Sequence, residues 1–373
     1  MNLLITMRLS DRSVWNHIFP ITHLNGISTI TIIRDISGIP IDKVRYITPF
    51  HDRVPESHLM VLIKGLQIMW YSLIEKPVLI HSYLLYPHGF LGFIAGKVTG
   101  RKVGVSLIAG PVETYLFGDS PIEKYSYSQP LPPSTTINKL ILFILRRFDV
   151  ITVTGTYTRN FLVSRGIDEH KIFILPHVVD ERFRPLDIKK EYDVIYVGRL
   201  DPVKHVETLI KAISIVKKSL PLIKVAIVGD GESRSNLEEL TRFLDLTGQI
   251  DFVGYQTNTW EWYNRSKISV LTSEREGFPY TVIESLKCNV PTIVSNCGDV
   301  CDIVKDSFNG KIVAEYNDFN TYADCIIDLL THPDRMKKYS ENCHQTSYDL
   351  NFMSVKSVWE KIIMEIEQKH TAK

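Results

Sequence analysis

Residues 273–286 read Ser273-Glu-Arg-Glu-Gly-Phe-Pro-Tyr-Thr-Val-Ile-Glu-Ser-Leu286 and carry two acids, Glu276 and Glu284, eight positions apart. Just upstream, Ile268–Leu271 is a short apolar run that reads as a buried strand. Pro279 suits the opening of a helix, because the N–H it lacks would have no intrahelical partner there. The segment therefore reads strand, acidic loop, helix. Glu276 falls on the loop and Glu284 about one and a half turns into the helix. A helix N-terminus attracts anions through its free N–H groups and its dipole. Two acids beside an anion site suit a ligand with both phosphates and hydroxyls, and a sugar nucleotide is such a ligand.

The same order recurs along the chain. Short apolar runs alternate with helical periodicity from end to end, which predicts α/β architecture with parallel sheets. In the first half the expected strands are Leu3–Thr6, Ser28–Ile33, Val78–His81, Val103–Leu107, Val150–Thr154 and Ile172–Leu175. In the second half they are Asp193–Val197, Lys224–Val228, Asp251–Val253, Ile268–Leu271, Thr292–Val294 and Lys311–Val313. Most of the latter run into a turn signal: Gly198, Gly229-Asp230-Gly231, Gly254, Ser273, or Asn296-Cys297-Gly298. The charged stretch 182–191, with Pro185 and no apolar periodicity, reads as a linker between the halves. This gives domains of 1–185 and 186–350. Residues 351–373 follow as a helix whose stripe of Val355, Val358, Trp359, Ile362, Ile363 and Ile366 requires a groove to bury it.

The 373 residues suit two domains, and the 44% hydrophobic and 23% charged content is that of an ordinary globular chain. A formal net charge of +1 sets up no field favouring nucleic acid. No run of apolar residues is long enough to span a bilayer. Met1–Ser10 reads as a short strand rather than a signal peptide, so the expected location is cytoplasmic, at the inner face of the cell membrane. The cysteines are 288, 297, 301, 325 and 343. They include no CxxC pair and are odd in number, so neither a disulfide framework nor a metal site is expected.

Three further segments carry site chemistry. Val197-Gly-Arg-Leu-Asp-Pro-Val-Lys204 sets Arg199 and Lys204 after the strand-ending Gly198, where two cations can hold a diphosphate. Ile227-Val-Gly-Asp-Gly-Glu232 is a glycine turn at a strand end, but Arg234 stands where a dinucleotide fingerprint has its third glycine. Asp251-Phe-Val-Gly254 is a strand and a turn.

Taken together in this order, the four segments resemble the retaining GT-B glycosyltransferases of family 4, the glycosyl transferases group 1. The resemblance covers about residues 75–350. It implies two Rossmann-like domains facing across a cleft, with the C-terminal helix returning to the N-domain. It also implies the roles of the residues. Arg199 and Lys204 would neutralise the leaving diphosphate, and Glu276 would lie near the transferred sugar. Gly198, Gly229, Asp230 and Gly231 would line the donor. The backbone at Val253 would meet the base, and Gly277, Phe278, Pro279 and Tyr280 would face sugar and phosphate. Glu284 would accept the ribose hydroxyls. His81-Ser-Tyr-Leu-Leu-Tyr-Pro-His-Gly-Phe-Leu91, which contains His88, resembles the turn from strand to helix on the acceptor side.

This chain departs from the family pattern at several points. Met7–Arg12 replaces a Gly-Gly turn, and His205 replaces the glycine after Lys204. Ile108–Glu113 lacks the family's donor-contacting His, leaving Glu113 as an acceptor-side substitute. The expected reaction is metal-independent, cofactor-free transfer of a hexosyl group from a nucleotide sugar. The acceptor would be a glycan, a lipid-linked molecule or a small molecule. A catalytically silent sugar-nucleotide-binding subunit and a GT-B sugar-nucleotide epimerase remain open, and more remotely a nicotinamide dehydrogenase. The Pro/Ser/Tyr-rich stretch 119–137, flanked by Tyr115 and Phe117 and containing Tyr125 and Tyr127, reads as a loop for the acceptor. Behind it, 138–148 reads as a core helix ending in Arg146 and Arg147, with membrane-surface contact as the minor reading.

Overall fold

The computed structural model of the chain describes residues 1–48, 58–114, 136–348 and 350–371. Two compact units result. One is built on the described residues up to Val178 and closed by the chain from Phe352 onward; the other is Val179–Asn351.

The first unit runs β1 (Asn2–Thr6), α1 (Asp11–Thr22), β2 (Thr29–Ile33), β3 (Val44–Ile47), α2 (His58–Ile74), β4 (Leu79–Tyr83) and α3 (Phe90–Thr99). It continues with β5 (Lys102–Leu107), α4 (Thr136–Leu145), β6 (Val150–Val153), α5 (Thr156–Ser164) and β7 (Ile172–Ile174). The strands pair in parallel in the order β3-β2-β1-β4-β5-β6-β7. The near-continuous burial of β1, β4 and β6 is that of strands covered on both faces.

The second unit runs β8 (Tyr192–Val197), α6 (Val206–Ser219), β9 (Val225–Val228), α7 (Arg234–Phe243), β10 (Ile250–Gly254) and α8 (Thr259–Asn264). Then come β11 (Ser266–Leu271), α9 (Tyr280–Lys287), β12 (Thr292–Ser295), α10 (Val300–Ile303), β13 (Gly310–Val313), α11 (Phe319–Thr331) and α12 (Pro333–Tyr348). Its parallel sheet has the order β10-β9-β8-β11-β12-β13. The last helix, α13 (Phe352–Thr371), returns to the first unit. There Val355, Trp359, Ile362, Ile363 and Ile366 are buried with Val14 and Ile18 of α1 and Leu3 and Ile5 of β1.

Some expectations need correction. The stretch 182–191 is not a free linker. Phe183 is buried in the second unit's core, Leu186 N–H donates to Asn264 Oδ1 (2.8 Å), and Asn264 Nδ2 donates to Arg184 O (2.9 Å). Its charges lie on the surface of a segment anchored by one aromatic ring, and the units part after Val178 rather than at 185. β3 was not expected, because an edge strand with half-exposed residues carries no continuous apolar run. The loop expected at 119–137 falls, up to residue 135, outside the described residues, as do Tyr115, Phe117, Tyr125 and Tyr127. The helix expected over 138–148 spans Thr136–Leu145.

Candidate functional site

In an open parallel sheet, ligands bind beyond the carboxyl ends of the strands, where the strand order reverses. In the second unit that reversal falls between β8 and β11, which pair directly. Gly198–Lys204 leaves the end of β8, and Thr272–Pro279 leaves the end of β11. The two segments are laced together. Thr272 Oγ1 donates to Lys204 O (2.8 Å), and Glu274 N–H donates to Val203 O (3.0 Å). On this scaffold Lys204 Nζ reaches Glu276 Oε1 at 2.6 Å, and Ser273 Oγ donates to the same oxygen at 2.7 Å. Both members of the ion pair are mostly buried.

Beside this pair the backbone is packed too closely for side chains. Gly229 has φ +139°, and a Cβ there would lie 1.8 Å from Gly198 O. Gly198 N–H donates to Val228 O (3.0 Å), and Gly229 N–H donates to Gly254 O (2.9 Å), so the ends of β8, β9 and β10 meet through glycines. A Cβ on Gly231 would press on the Leu200 carbonyl at 2.6 Å. Asp230 accepts from Gly231 N–H (2.8 Å) and pairs with Arg234 (3.1 Å). Val253 is half-buried at the end of β10.

Pro279 is the N-cap of α9 rather than its first residue, with extended backbone at φ −70°, ψ 120°. Phe278 is buried and Tyr280 half-buried against the core under the loop. Glu284 is almost fully buried at the fifth residue of α9, close to the expected depth in the helix. Gly277 O accepts from Asp299 N–H (2.9 Å), and a Cβ on Gly298 (φ +55°) would strike Glu276 O at 2.0 Å. The turn after β12 therefore buttresses the acidic loop. Gly298 was legible only as a turn, and the supports from Ser273 and Thr272 needed the fold to be seen.

Arg199 does not join the Lys204–Glu276 pair. Its guanidinium is 74% exposed and pairs with Asp201 at 2.5 Å. His205, in the family's glycine position, takes the left-handed backbone a glycine would take, φ 46°, ψ 45°. Its ring compensates. Nδ1 meets Glu207 (2.9 Å), Nε2 meets Glu274 (3.2 Å), and the ring lies 4.3 Å from that of Tyr316. Burial pulls the imidazole pKa down, but the hydrogen bonds and charges of Glu207 and Glu274 outweigh it, leaving it above 6.5.

The first unit has its own strand-order reversal, between β1 and β4. His88 lies there, buried, with Nδ1 2.6 Å from Thr6 Oγ1. Burial, with Lys64 and Arg8 adding to it, pushes its pKa down to about 4, so the ring is neutral. Glu113 was expected as an acid facing the acceptor side. Both its oxygens are instead taken by backbone: Oε2 by Leu85 N–H (2.8 Å) and Oε1 by Ala109 N–H (2.7 Å). It ties the chain leaving β4 to the chain leaving β5. Burial pushes its pKa up to about 7 against the pull of these donors. The turn that lacks Gly-Gly is held by side chains: Ser10 caps α1, and buried Arg34 reaches Leu9 O (2.8 Å) and Asp11 (2.7 Å).

All five cysteines are free, and burial pushes the Cys288 and Cys297 thiols up to about 12. Among the described residues no group of three or more His, Cys, Asp or Glu is placed to hold a metal ion.

Residues 178–346 match the family described as Glycosyl transferases group 1. The chain is 24% identical over 307 residues to the N-acetyl-alpha-D-glucosaminyl L-malate synthase of Bacillus anthracis, covering 79% of this chain and 74% of that protein. It is 30% identical over 222 residues to a Campylobacter jejuni alpha-1,4-N-acetyl-D-galactosaminyltransferase that acts on an undecaprenol-linked glycan, covering 59% and 61%. Among solved structures, sucrose-phosphate synthase of Thermosynechococcus elongatus superposes with a TM-score of 0.75 at 17% identity over 100% of both chains. Anabaena HepE in complex with UDP-glucose gives 0.73 at 14% identity, also over 100% of both. At such identities the structural likeness establishes the fold alone.

Proposed function

We propose that the chain is one of the glycosyl transferases of group 1, the family its residues 178–346 match, and that it moves a hexosyl group from a nucleoside-diphosphate sugar to a glycan or lipid-linked acceptor, with retention at the anomeric carbon. Its two Rossmann-like units are those of the GT-B fold. The observation that carries this reading is the Lys204–Glu276 pair, set at the second unit's strand-order reversal beside the glycine contact of 198 and 229. A cation there can take up negative charge that develops on the diphosphate as the glycosidic bond breaks. Arg199, exposed on the same loop, supplies a second cation, and the N-terminus of α9 supplies N–H groups. Glu284 accepts from the ribose hydroxyls, and Glu276 lies by the sugar. These groups do the work a divalent metal would otherwise do, and no cofactor takes part. The acceptor is presented at the inner face of the membrane.

The test is a thermal-shift screen against UDP-, GDP- and ADP-sugars. A donor at about 100 times its dissociation constant adds about 2.7 kcal/mol of stability. The best donor is then incubated with membrane extract in EDTA, and the product's anomeric configuration is read by NMR. An α-linked product from an α-donor, formed in EDTA, is expected. An inverted product, or transfer that EDTA abolishes and Mg²⁺ restores, removes the corresponding part of the proposal. An epimer formed from donor alone would favour a sugar-nucleotide epimerase.

A further inference from the structure

Helices α2, α3 and α4 cover one face of the first unit's sheet. Ile68 of α2 and Ala95 of α3 share one core cluster. Phe90 and Phe93 of α3 pack with Ile141, Leu142 and Leu145 of α4. The outer side of this layer is inverted relative to an ordinary surface helix. On α2, Leu59, Leu62, Leu66, Trp70 and Leu73 recur at steps of 3, 4, 4 and 3, which is one helix face, and all are 54–71% exposed. The polar groups of α2 point the other way. Lys64 is buried and pairs with Asp35 at 2.5 Å, and Ser72 is buried and donates to Ile68 O. The stripe continues sideways with exposed Ile94 and Val98 on α3, then Ile137, Leu140 and Phe143 on α4. An exposed apolar surface of this extent marks an interaction site.

Charge identifies the occupant. The three helices, of 17, 10 and 10 residues, contain no Asp or Glu. They carry exposed Lys97 and Lys139, with Arg101, Arg146 and Arg147 within two residues of their ends, while Glu75 after α2 is turned inward to Arg45 and Thr31. Lys97 Nζ sits 5.4 Å from the Phe93 ring centre, and the Arg147 guanidinium lies over Phe143 at 3.4 Å, so these cations ride beside the apolar residues. A two-fold pairing of this face with itself would set cations against cations with no carboxylate from the three helices to answer them. A bilayer with anionic headgroups answers both features: acyl chains for the leucines, the interface for Trp70, and phosphates for the basic residues.

We propose that the α2–α3–α4 face docks the enzyme on an anionic lipid surface. It lies on the bilayer rather than across it, because the inner side of α2 is part of the core and no helix among the described residues is long and apolar enough to span. This deepens the reading of a membrane-presented acceptor and rests on it for its purpose. The experiment needs neither donor nor acceptor, so its failure is separate from failure of that reading.

The intact protein is floated with vesicles of phosphatidylcholine alone and of phosphatidylcholine mixed with phosphatidylglycerol. The L66E/W70E variant is run in parallel, with its melting temperature and donor binding as controls, and the oligomeric state of both is measured. The proposal expects binding to the anionic vesicles that exceeds binding to the neutral ones and falls with added salt. It expects the variant to lose at least about tenfold in partitioning, because two buried apolar anchors are gone, with melting temperature and donor binding unchanged. Wild-type protein that stays off anionic vesicles, or a variant that binds them equally, overturns it. So does a wild-type dimer that ignores vesicles and that L66E/W70E turns into a monomer, which assigns the face to a second copy.

Discussion

Lys204 and Glu276 are 72 residues apart in the chain and form a mostly buried ion pair at 2.6 Å, so the cation assigned to the diphosphate is already matched by a carboxylate before any donor arrives. Lys204→Ala therefore has two effects. It lowers turnover by roughly two orders of magnitude, the scale of losing one charge-stabilising group. It also leaves Glu276 with Ser273, and a mostly buried carboxylate without its cation destabilises the fold. The K204A/E276A double variant recovers part of that loss. Urea unfolding of the four proteins is expected to give a coupling energy of about 0.5–3 kcal/mol. Additive losses would mean that the pair is not formed in solution.

Arg199 separates catalysis from stability. Its guanidinium is mostly exposed and its pair with Asp201 is a surface pair, of a kind worth about 0–1 kcal/mol. Arg199→Ala is expected to leave the unfolding midpoint unchanged within error and to lower kcat by roughly two orders of magnitude. Normal kcat removes Arg199 from the diphosphate clamp, and Lys204 then stands alone in that role.

Glu284→Gln tests the ribose contact. The amide keeps the volume of a buried side chain on α9 but turns one acceptor oxygen into a donor. Affinity for the free nucleoside diphosphate is expected to fall by about 1–3 kcal/mol, read by calorimetry on protein whose melting temperature matches the wild type. Unchanged affinity moves the ribose contact elsewhere.

What the sequence discloses here follows the range of the interaction. Strands such as Leu3–Thr6 and Ile268–Leu271 are legible because burial on both faces leaves a local apolar run. The glycines at 198, 229 and 231 are legible as turns, but the reason at 229 and 231, that a Cβ would come within 1.8 Å of the Gly198 carbonyl and 2.6 Å of the Leu200 carbonyl, depends on β8 and β9 lying side by side. The Lys204–Glu276 contact depends in the same way on the pairing of β8 with β11. Phe183 anchors a stretch whose charges read as a linker, because composition does not say which single ring is buried. The apolar stripe of α2 escapes a periodicity argument, since its few polar residues, Lys64 and Ser72 among them, lie on the buried side and the usual rule would turn the leucines inward.

His205 makes stability depend on pH. Its folded pKa is raised above 6.5, so pairing with Glu207 and Glu274 stabilises fully below the unfolded value of 6.5. That contribution is lost as pH rises through the higher folded value. His205→Gly relieves the left-handed strain and removes the pairing. The variant is expected to lose stability relative to wild type below pH 6.5, and the gap narrows or reverses above the folded pKa. Melting temperatures across this range decide it, and a constant gap would mean that the ring is never protonated in the fold.

Glu113 gives a pH dependence of the same sign, set in a lower range, and its carboxyl is engaged by backbone. The carboxyl joins the exits of β4 and β5 by accepting from Leu85 and Ala109 N–H. Glu113→Gln sets an NH₂ group against one of those donors, and a destabilisation of about 1–3 kcal/mol is expected. Burial raises the folded pKa from an ordinary 4.5 to about 7, so the folded state binds the proton more tightly than the unfolded state. Wild-type stability from this group is therefore full below pH 4.5 and declines as pH rises through 7. His81, pushed down to about 3 by burial, and His88, at about 4, act the other way, weakening the fold as pH falls below 6.5. Both are present in wild type and variant, so the difference between the two proteins isolates Glu113. That difference is expected to be largest near pH 4.5 and to shrink toward pH 7. If E113Q instead melts like wild type at every pH and loses only donor-sugar affinity, Glu113 faces the sugar and not the backbone.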